Sequence, residues 1–262
     1  MAALRGRTAL VTGSTGGIGE AFARALAAQG CNVVLNGLGD ADAIERLRAG
    51  IAREHGVEVA YDGADLADPR QIERMMAAVQ DRFGALDVLV NNAVTRHYAP
   101  VDAFPVDKWD HALAVNLSAA FHTIRLGLPG MRQRNWGRII NMSSIHATNV
   151  VRDRVDYMTT KAAILGLTRA VALECATTGI TCNALCPGWV LTPHAERQIA
   201  RVMGEKGVSR DAAIEELVGV RQPSRRPILP AEVAALGVYL CGDAAANISG
   251  AALPIDGAWA VT

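Results

Sequence analysis

Short apolar runs alternate with longer segments of helical periodicity along this chain. The apolar runs, each bounded by polar residues or glycine, are predicted as strands. They cover residues 8–12, 32–36, 57–61, 88–91, 138–142, 181–186 and 252–255. Helical spacing of apolar positions predicts helices over residues 17–29, 40–55, 70–83, 106–133, 155–177 and 230–241. Strands that are apolar on both faces and alternate with helices indicate an α/β protein with a doubly wound parallel sheet.

One stretch, residues 192–226, departs from this alternation. It is polar and rich in arginine, it has helical periodicity in places, and it lies between the last two predicted strands. A long insertion in a compact domain is more often a lid or a binding loop than a disordered linker. We therefore expect a helical substrate loop here. Since neither a low-complexity linker nor an internal repeat divides the sequence, residues 1–262 are expected to form a single domain.

Composition and charge narrow the class of partner. Of the 262 residues, 50% are hydrophobic and 20% are charged, which is typical of a packed globular protein. The 26 basic residues balance 26 acidic ones, so neither nucleic acid nor an anionic membrane surface would meet a net attractive field. The sequence has no uninterrupted run of about 18 apolar residues, the length needed to cross a membrane. Its first residues lack the apolar core of a secretory signal. These features favour a soluble, cytoplasmic protein.

Cysteine usage gives no sign of a disulfide framework or a metal site. The five cysteines are Cys31, Cys175, Cys182, Cys186 and Cys241. Their number is odd, no C-x-x-C motif occurs, and no His or Cys partners lie at zinc-binding spacing. We therefore expect reduced, mostly buried thiols and no bound metal.

A glycine-rich turn follows the first predicted strand and leads directly into the first predicted helix. It reads Thr12-Gly13-Ser14-Thr15-Gly16-Gly17-Ile18-Gly19. Glycines in such a turn allow the backbone to approach a pyrophosphate closely, and the N–H groups at the helix start favour its negative charge. The alternative is a turn without a ligand. Because the strand–turn–helix context is present, the sequence favours a dinucleotide site that includes Gly13, Thr15, Gly17, Ile18 and Gly19.

The residues around the expected ribose indicate which dinucleotide is bound. A 2′-phosphate needs a nearby Arg or Lys, but neither the glycine-rich turn nor residues 35–40 contain one, and Asp40 would repel a phosphate. NAD is therefore favoured over NADP. Asp65 follows the third predicted strand and could accept a hydrogen bond from the adenine amino group. Asn91-Asn92-Ala93-Val94 follows the fourth strand, at the nicotinamide end of such a groove.

Four polar residues suggest proton transfer coupled to hydride transfer. Tyr157 and Lys161 are four residues apart, which places them one turn apart on one helix face, and Ser144 precedes them after a predicted strand. An adjacent ammonium stabilises a phenolate and makes a phenol a usable base. Ser144 could hold the substrate oxygen, while Asn116 could join a proton relay through Lys161. A solvated lysine beside a packed tyrosine is the alternative, but only three of the 26 basic residues are lysines.

Together these features resemble the short-chain dehydrogenase/reductase family, over the full chain. The matching motifs are the turn at 12–19, Asp65, Asn91-Asn92-Ala93, Asn116, Ser144, Tyr157-x-x-x-Lys161, Pro187-Gly188 and Ile255-Asp256-Gly257. The resemblance implies a Rossmann fold, oxidation of an alcohol with NAD(P) and a homotetramer, with Asn116, Ser144, Tyr157 and Lys161 as catalytic residues. Beyond the glycine-rich turn, it implies cofactor contacts from Asp65, Leu66, Asn92, Tyr157, Lys161, Pro187, Gly188 and Val190.

A closer likeness within the family concerns the substrate. Segments 33–40, 120–131, 134–141, 181–193 and 250–259 are similar to members that oxidise a short 3-hydroxy acid, whose carboxylate is held by a Gln, a His, a Lys and a second Gln. The matching positions here are Arg96, His146, Arg154 and Gln198. Both arginines keep or add positive charge and can bind a carboxylate through two hydrogen bonds. The resemblance therefore implies a small, carboxylate-bearing hydroxy acid as substrate.

Two other functions stay open at this stage. One is a reductase that acts on a 3-oxoacyl thioester or another ketone with the same chemistry. The other is a non-catalytic protein that senses NAD(H). Val94 keeps the second open, because it stands where the family has glycine and is expected to narrow the site or shift the loop.

Overall fold

The computed structural model describes residues 4–219 and 221–261. The strands found there are β1 (Thr8–Val11), β2 (Asn32–Asn36), β3 (Val59–Asp62), β4 (Val88–Asn91), β5 (Gly137–Met142), β6 (Ile180–Pro187) and β7 (Ala252–Ile255). They form one parallel sheet in the order β3-β2-β1-β4-β5-β6-β7. The order reverses between β1 and β4, and parallel sheets bind ligands beyond the carboxyl ends of strands at such a point. The expected doubly wound Rossmann sheet is confirmed.

Helices cover both faces of this sheet. They are α1 (Gly17–Ala28), α2 (Ala41–His55), α3 (Pro69–Phe83), α4 (Val106–Leu113), α5 (Ala119–Gln133), α6 (Val155–Glu174), α7 (Pro193–Lys206), α8 (Arg210–Ile214) and α9 (Pro230–Cys241). Successive strand residues point to opposite faces: Val33 and Leu35 pack in the core under α1, α2 and α9, whereas Val34 packs in the core under α3, α5 and α6. Two separate cores therefore hold the sheet rigid.

Local capping explains where several helices begin and end. The side chains of Asp40, Asp68 and Thr192 each accept a hydrogen bond from a backbone N–H in the first turn of α2, α3 and α7. Gly56 and Gly84 end α2 and α3 in the left-handed conformation, with φ of 64° and 70°. The bounds of α2 and α3 are within one residue of those predicted from the sequence.

The segment predicted as helix over residues 106–133 is helical throughout with those bounds, but it is not α-helical throughout. A π-helical turn over Ala114–Ser118 separates α4 from α5. The helix predicted over 155–177 ends earlier, at Glu174, and the strand predicted over 57–61 begins later, at Val59. π-turns are often found at functional sites, and this one contains Asn116.

The arginine-rich insertion has the helical content that its periodicity predicts. It contains α7, α8 and a second π-helical turn over Glu215–Gly219. Ile199 and Val202 of α7 pack with Ala213 of α8 in a small apolar cluster of their own, against which the partly buried Trp189 also packs. The insertion, which follows β6, therefore folds around a small apolar core of its own within the domain.

Two further expectations can be compared with the described residues. All five cysteines are buried and unpaired, as predicted. In that part of the chain, no helix has both the length and the apolar character needed to cross a membrane.

Candidate active site

The glycine-rich turn joins β1 to α1 at the point where the strand order reverses. Gly13 has φ of 61°, and a Cβ there would lie 2.8 Å from the Cα of Ala93. A Cβ on Gly19 would overlap the carbonyl oxygen of Gly13. Both positions therefore require glycine, because any side chain would push the turn away from the loop after β4.

The outer side of the same turn is open and has the donors that a pyrophosphate needs. Gly16 is the N-cap of α1 and supplies no side-chain cap, so the first N–H groups of the helix lack that partner. A Cβ on Gly16 would meet nothing within 4 Å. The space outside Thr15, Gly17 and Ile18 thus fits the diphosphate of a dinucleotide.

Asn92 holds the turn in place. Its Nδ2 donates to the carbonyl oxygens of Thr12 at 2.9 Å and Gly13 at 3.0 Å, and its backbone N–H donates to Thr12 Oγ1 at 2.9 Å. The N–H groups of Asn92 are therefore bonded to other residues of the protein rather than left for a ligand. Asn92 therefore shapes the nucleotide groove by fixing the turn.

The expected adenosine end of the groove lies at the ends of β2 and β3. Asp65 Oδ1 accepts the N–H of Ala67 at 2.9 Å, which holds the loop after β3, and Leu66 is buried next to it. Asp40 Oδ1 accepts the N–H of Ala43 at 2.8 Å, so it caps α2. Leu38, 67% exposed, lies between β2 and α2. The segment from β2 to α2 thus presents an apolar side chain and a capping carboxylate.

Tyr157 and Lys161 occupy one face of α6, as their spacing predicts, and both side chains are buried. Lys161 Nζ donates to the carbonyl oxygen of Met142 at 2.6 Å and lies 5.6 Å from the centre of the Tyr157 ring. Ser144, in the loop after β5, hydrogen-bonds to the phenol through its hydroxyl. The other two lysines, Lys108 and Lys206, are exposed and form ion pairs with acidic residues.

The surroundings of Tyr157 make its hydroxyl unusually acidic. Burial raises the pKa of the phenol, but the charges of Arg96 and Lys161, the hydrogen bond of Ser144 and the charge of Arg154 lower it, and the result is a pKa of about 8. For Lys161 burial has the opposite effect and lowers the pKa, while the adjacent phenolate acts to raise it. A base with a pKa this close to neutral is well matched to proton transfer from an alcohol.

Asn116 lies in the π-helical turn and holds a loop that leads to the site. Its Nδ2 donates to the carbonyl oxygen of Thr95 at 3.0 Å, and its Oδ1 accepts the N–H of Thr95 at 2.8 Å. A cavity of about 10 Å³ is lined by Asn116, Lys161, Thr12 and Asn91, among others. That volume corresponds to about one water molecule. The geometry therefore allows a proton path from Lys161 past Asn116.

Arg96 and Arg154 lie together against Tyr157. Their guanidinium carbons are 5.0 Å and 4.5 Å from the centre of the phenol ring, and that of Arg154 is also 5.1 Å from the ring of Tyr98. The Nε of Arg154 is buried and has no hydrogen-bond partner among the described residues. Because a buried donor without a hydrogen-bond partner is costly, this site is suited to an anion.

His146 faces the same space but is not a cation at neutral pH. Its ring centre is 6.2 Å from that of Tyr157 and 5.4 Å from that of Trp259, and its Nδ1 lies 2.8 Å from the carbonyl oxygen of Asn149. Burial lowers the pKa of His146; the Asn149 carbonyl opposes this, while nearby arginines add to it. Neutral His146 donates through Nδ1 and leaves Nε2 as an acceptor. Of the expected carboxylate-binding residues, Arg96 and Arg154 therefore carry positive charge at neutral pH, whereas His146 does not.

Two residues that the sequence did not single out are coupled electrostatically to this site. Burial lowers the pKa of His194, in the first turn of α7, and the charges of Arg96, Arg197 and Arg154 lower it further. The charge of Arg221 likewise adds to the effect of burial in lowering the pKa of His146. Gln198 follows His194 by one helical turn, so it lies on the same side of α7. No local motif marks His194, because the fold of the insertion places the start of α7 next to the glycine-rich turn.

The ends of β6 and β4 complete the groove. Gly188 donates its N–H to the carbonyl oxygen of Ile255 at 3.0 Å, just after Pro187, and a Cβ there would lie 2.6 Å from Gln222 Oε1. Val190 is buried and bridges to the segment before α9. Val94 is not among the residues with positive φ. The loop after β4 thus accommodates valine without the backbone strain that a glycine position would impose.

Comparisons with known proteins agree with this geometry. A family model described as Enoyl-(Acyl carrier protein) reductase matches residues 13–259. The D-beta-hydroxybutyrate dehydrogenase of Cupriavidus necator is 48% identical over 257 residues, with 98% of both chains covered. That of Rhizobium meliloti is 44% identical over 253 residues, which cover 97% of this chain and 98% of the relative. The monensin polyketide synthase putative ketoacyl reductase of Streptomyces virginiae is 39% identical, with 96% of both chains covered.

Solved structures show the same fold. The L-sorbose reductase of Gluconobacter frateurii, complexed with NADPH and L-sorbose, has a TM-score of 0.95 and 29% identity over 100% of both chains. The actinorhodin polyketide ketoreductase with NADPH has a TM-score of 0.89 and 34% identity over 98% of both chains. With the glycine-rich turn and the Ser–Tyr–Lys arrangement, these near-complete matches show that the chain belongs to the short-chain dehydrogenase/reductase family of oxidoreductases.

Proposed function

We propose that this protein oxidises D-3-hydroxybutyrate to acetoacetate, reversibly, with NAD as the hydride acceptor. The observation that carries the proposal is the position of Arg154 beside the Tyr157 ring, with a buried Nε that has no hydrogen-bond partner among the described residues. In a 3-hydroxy acid the carboxylate is two bonds from the carbinol carbon, so it can reach this cation while the hydroxyl reaches the phenol. The two relatives named as D-beta-hydroxybutyrate dehydrogenases support the same substrate.

The proposed mechanism assigns a task to each catalytic side chain. Tyr157, as phenolate, takes the proton of the substrate hydroxyl, and Ser144 holds the substrate oxygen next to it. Lys161 stabilises the phenolate, and Asn116 shapes the cavity through which the proton leaves. When bound, the nicotinamide ring supplies the acceptor for the hydride of the carbinol carbon. In the reverse direction, neutral Tyr157 returns the proton to the carbonyl oxygen.

Carboxylate binding is assigned to Arg96, Arg154, His146 and Gln198. Arg154 and Arg96 provide the charge, and each can donate two hydrogen bonds to a carboxylate. An acid that binds near His146 would favour its protonated form, because the added negative charge stabilises the imidazolium. Gln198 approaches from α7. The substrate is thus held from the loops after β4 and β5, from the start of α6 and from the insertion.

NAD rather than NADP is supported by the residues between β2 and α2. A 2′-phosphate would meet Leu38 and Asp40 there, and neither can neutralise it. Parallel assays with NAD and NADP test this: kcat/KM with NAD should exceed that with NADP at least about tenfold, the factor that 1.4 kcal/mol corresponds to. Equal use of both nucleotides would contradict the assignment.

The central experiment replaces Tyr157 with phenylalanine. Without the phenol hydroxyl, turnover of D-3-hydroxybutyrate should fall by about 10²–10⁴-fold, the usual contribution of a general base. NAD affinity, measured by fluorescence titration, should stay nearly unchanged because the ring is retained. Wild-type-like turnover in this variant would overturn the mechanism. If the wild-type protein binds NAD but oxidises none of a panel of short hydroxy acids, the proposed activity is wrong.

Reduction of a 3-oxoacyl thioester is the second candidate, and the putative ketoacyl reductases among the relatives favour it. A thioester has no free carboxylate, so it would leave the guanidinium of Arg154 without an anion. Acetoacetate and an acetoacetyl thioester can be compared in one assay of reduced-nucleotide consumption. Faster reduction of the thioester would favour this candidate over the hydroxy acid.

A non-catalytic NAD(H) sensor fits the site less well. Such a protein needs no proton-transfer group. Here Lys161 is 3% exposed, donates a hydrogen bond to Met142 and lies beside Tyr157. Burial raises the pKa of Tyr157, but its charged neighbours lower it to about 8. Burial of an ammonium costs free energy unless a nearby negative charge or hydrogen-bond acceptor compensates for the lost water. The Tyr157 phenolate is such a charge. Any measurable turnover with an acid substrate would exclude the sensor.

We also infer a cytoplasmic homotetramer. Five unpaired thiols are typical of a protein from a reducing compartment. Phe121 and Leu173 are exposed on α5 and α6, and such side chains are suited to contacts between copies of a chain. Light scattering would give four times the mass of the chain, and a monomer mass would contradict the assembly.

A further inference from the structure

The loop after β4 carries Arg96 and is tied to the rest of the protein on both sides of that residue. Just before Arg96, the backbone N–H and carbonyl groups of Thr95 bond to the side chain of Asn116. Just after it, the N–H of His97 donates to Asp156 Oδ2 at 3.1 Å. The backbone of Arg96 is therefore held between a π-helical turn and the start of α6.

Asp156 is a buried carboxylate in the first turn of α6, with 1% of its surface exposed. Its Oδ1 accepts the N–H of Tyr157 at 2.6 Å, while its Oδ2 accepts that of His97. A buried carboxylate costs free energy unless hydrogen bonds compensate for the lost water, and the N–H groups at the start of a helix favour its charge. One side chain thus joins the helix that carries Tyr157 to the loop that carries Arg96.

Charged and polar groups from several elements face the phenol of Tyr157. They are Lys161 and Arg154 on α6, Ser144 and His146 after β5, and Arg96 after β4. Lys161 belongs to the same helix as Tyr157 and Arg154 is its N-cap, so α6 itself fixes their backbones relative to the phenol. Arg96 is exposed and lies in a loop outside any helix or strand. Its distance from the phenol therefore depends on how that loop is tied.

We propose that Asp156 is a positioning residue, which holds the loop after β4 so that Arg96 reaches both the Tyr157 ring and the carboxylate of the substrate. This inference rests on the proposed function, because it explains how one of the assigned carboxylate-binding residues is kept in place. Asp156 acts through Arg96, since both of its oxygens bond to backbone N–H groups. Without the carboxylate, the N–H of His97 loses its acceptor and the loop is free to move away from α6, together with Arg96.

The acidity of Tyr157 provides the first test, because loss of the Asp156 carboxylate has two opposite effects on it. Removal of a negative charge near the phenol lowers its pKa, whereas displacement of Arg96 raises it. In Asp156→Ala we expect the displacement to dominate. The pH midpoint of kcat/KM should then rise by about one pH unit, the lower end of the effect of a nearby opposite charge. An unchanged or lower midpoint would overturn the proposal.

Asp156→Asn separates the lost acceptor from the lost charge. Both variants lack the charge, but asparagine keeps an oxygen that can accept the N–H of His97. Its midpoint should therefore lie below that of Asp156→Ala, and equal midpoints would show that the hydrogen bonds of Asp156 do not place Arg96. Should the alanine variant not fold, Asp156→Ser takes its place in the comparison, because its hydroxyl ends one bond short of the carboxylate oxygens.

An Arg96→Gln background shows whether Asp156 acts through Arg96. In that background Asp156→Ala has no arginine to displace, so it should leave the midpoint where it is or lower it. A further rise would assign the effect of Asp156 to another residue and contradict the proposal.

Asp87→Ala is the matched control for lost stability. Asp87 is also buried, its Oδ2 accepts the N–H of Thr8 at 2.9 Å, and it pairs with Arg7. It lies at the amino ends of β1 and β4, at the opposite edge of the sheet from the site. Its loss should lower the free energy of unfolding in urea and leave the pH midpoint at the wild-type value. A rise like that of Asp156→Ala would attribute the shift to instability and refute the positioning role.

Substrate binding supplies a second readout. At a pH above both midpoints, Asp156→Ala should raise the KM for D-3-hydroxybutyrate several-fold and change kcat little, because Arg96 is assigned to the carboxylate. The KM for the neutral methyl ester of the same acid should stay the same. An unchanged KM for the acid, or equal rises for acid and ester, would speak against the placement of Arg96 by Asp156.

Phenolate absorbance separates this inference from the proposed function, since it measures the acidity of Tyr157 without a substrate. The titration of Tyr157 is the difference between each protein and the same protein with Tyr157→Phe. If that titration moves upward in Asp156→Ala but no hydroxy acid is oxidised, the positioning role holds and the proposed function is wrong. If D-3-hydroxybutyrate is oxidised and the titration does not move, the proposed function holds and the positioning role is wrong.

Discussion

At the scale of single residues, burial and nearby charges have opposite effects on the pKa of Tyr157. Burial disfavours its phenolate, whereas the charges of Arg96, Lys161 and Arg154 and the hydrogen bond of Ser144 favour it and bring its pKa to about 8. Arg96 is the strongest of the favourable influences, ahead of Lys161. An arginine in the substrate site thus also tunes the catalytic base.

The dual position of Arg96 predicts a change in the pH profile. Oxidation needs the phenolate, so kcat/KM for the hydroxy acid should rise as pH increases through about 8, and kcat/KM for ketone reduction should fall over the same range. Arg96→Gln removes the charge that lowers the pKa of Tyr157 most, so both midpoints should move upward, toward the ordinary pKa of tyrosine near 10. Steady-state rates from about pH 6 to pH 10 in both directions measure the shift.

A matched control separates this effect from a general loss of positive charge. Arg201 is exposed on α7 and pairs with Glu205, so Arg201→Gln removes the same charge away from the phenol. Its pH midpoints should equal those of the wild type. Unchanged midpoints in Arg96→Gln would show that Arg96 does not tune Tyr157, whatever happens to substrate affinity.

At the scale of elements, the glycine-rich turn supports both packing and nucleotide binding. Gly19→Ala would place a methyl group against the carbonyl oxygen of Gly13 and the side chain of Asn92. Forcing atoms into such a packed site costs about 1–3 kcal/mol, so we expect a lower free energy of unfolding in urea together with weaker NAD binding.

The control for this substitution is Gly50→Ala, because Gly50 is in the middle of α2 and a Cβ there would meet nothing within 4 Å. Alanine is the better helix former by about 0.8–1.0 kcal/mol, so this variant should be slightly more stable and bind NAD normally. Equal unfolding free energies for the two alanine variants would contradict the packing at Gly19.

Elements differ in how far the sequence alone could predict them. The strand Asn32–Asn36 and the helix Pro230–Cys241 have the predicted bounds, because their periodicity and their flanking glycine and proline residues are local signals. The π-helical turn over Ala114–Ser118 has no local signal: apolar spacing is nearly the same on either side of an inserted residue. Its presence follows from tertiary contacts, above all the two hydrogen bonds between Asn116 and Thr95.

The site shows the same division. Tyr157 and Lys161 are four residues apart, so one helix places them together and their spacing predicts it. His194 comes close to the site only because the insertion folds back over the ends of the strands: a Cβ on Gly17 would lie 3.6 Å from atoms of Thr192 and Pro193 at the start of α7. Patterns in a single sequence do not reveal such contacts. The neutral state of His146 also depends on burial, which only the folded chain provides.

At the scale of the whole molecule, formal neutrality conceals an uneven distribution of charge. The 26 basic residues match the 26 acidic ones in number, and many pair across the surface, as Arg82 does with Glu58 and Arg125 with Glu73. In the part of the chain that the structure describes, Arg96 and Arg154 at the substrate end form no such ion pair. A protein of zero net charge can therefore attract an anion locally, because a field of one sign at a cleft acts on the ligand over about a Debye length.

This uneven distribution predicts how salt affects the reaction. Raising ionic strength from about 0.01 M to about 1 M shortens the Debye length from about 30 Å to about 3 Å, so the attraction between the arginines and a hydroxy acid should weaken. The kcat/KM for D-3-hydroxybutyrate should fall several-fold while kcat changes little, since screening acts on capture rather than on the enclosed reaction. The neutral methyl ester of the same acid controls for other effects of salt and should show a flat profile. Arg154→Gln should flatten the profile of the acid as well. If acid and ester respond alike to salt, the charge at the site does not guide the substrate, and its capture depends on short-range contacts alone.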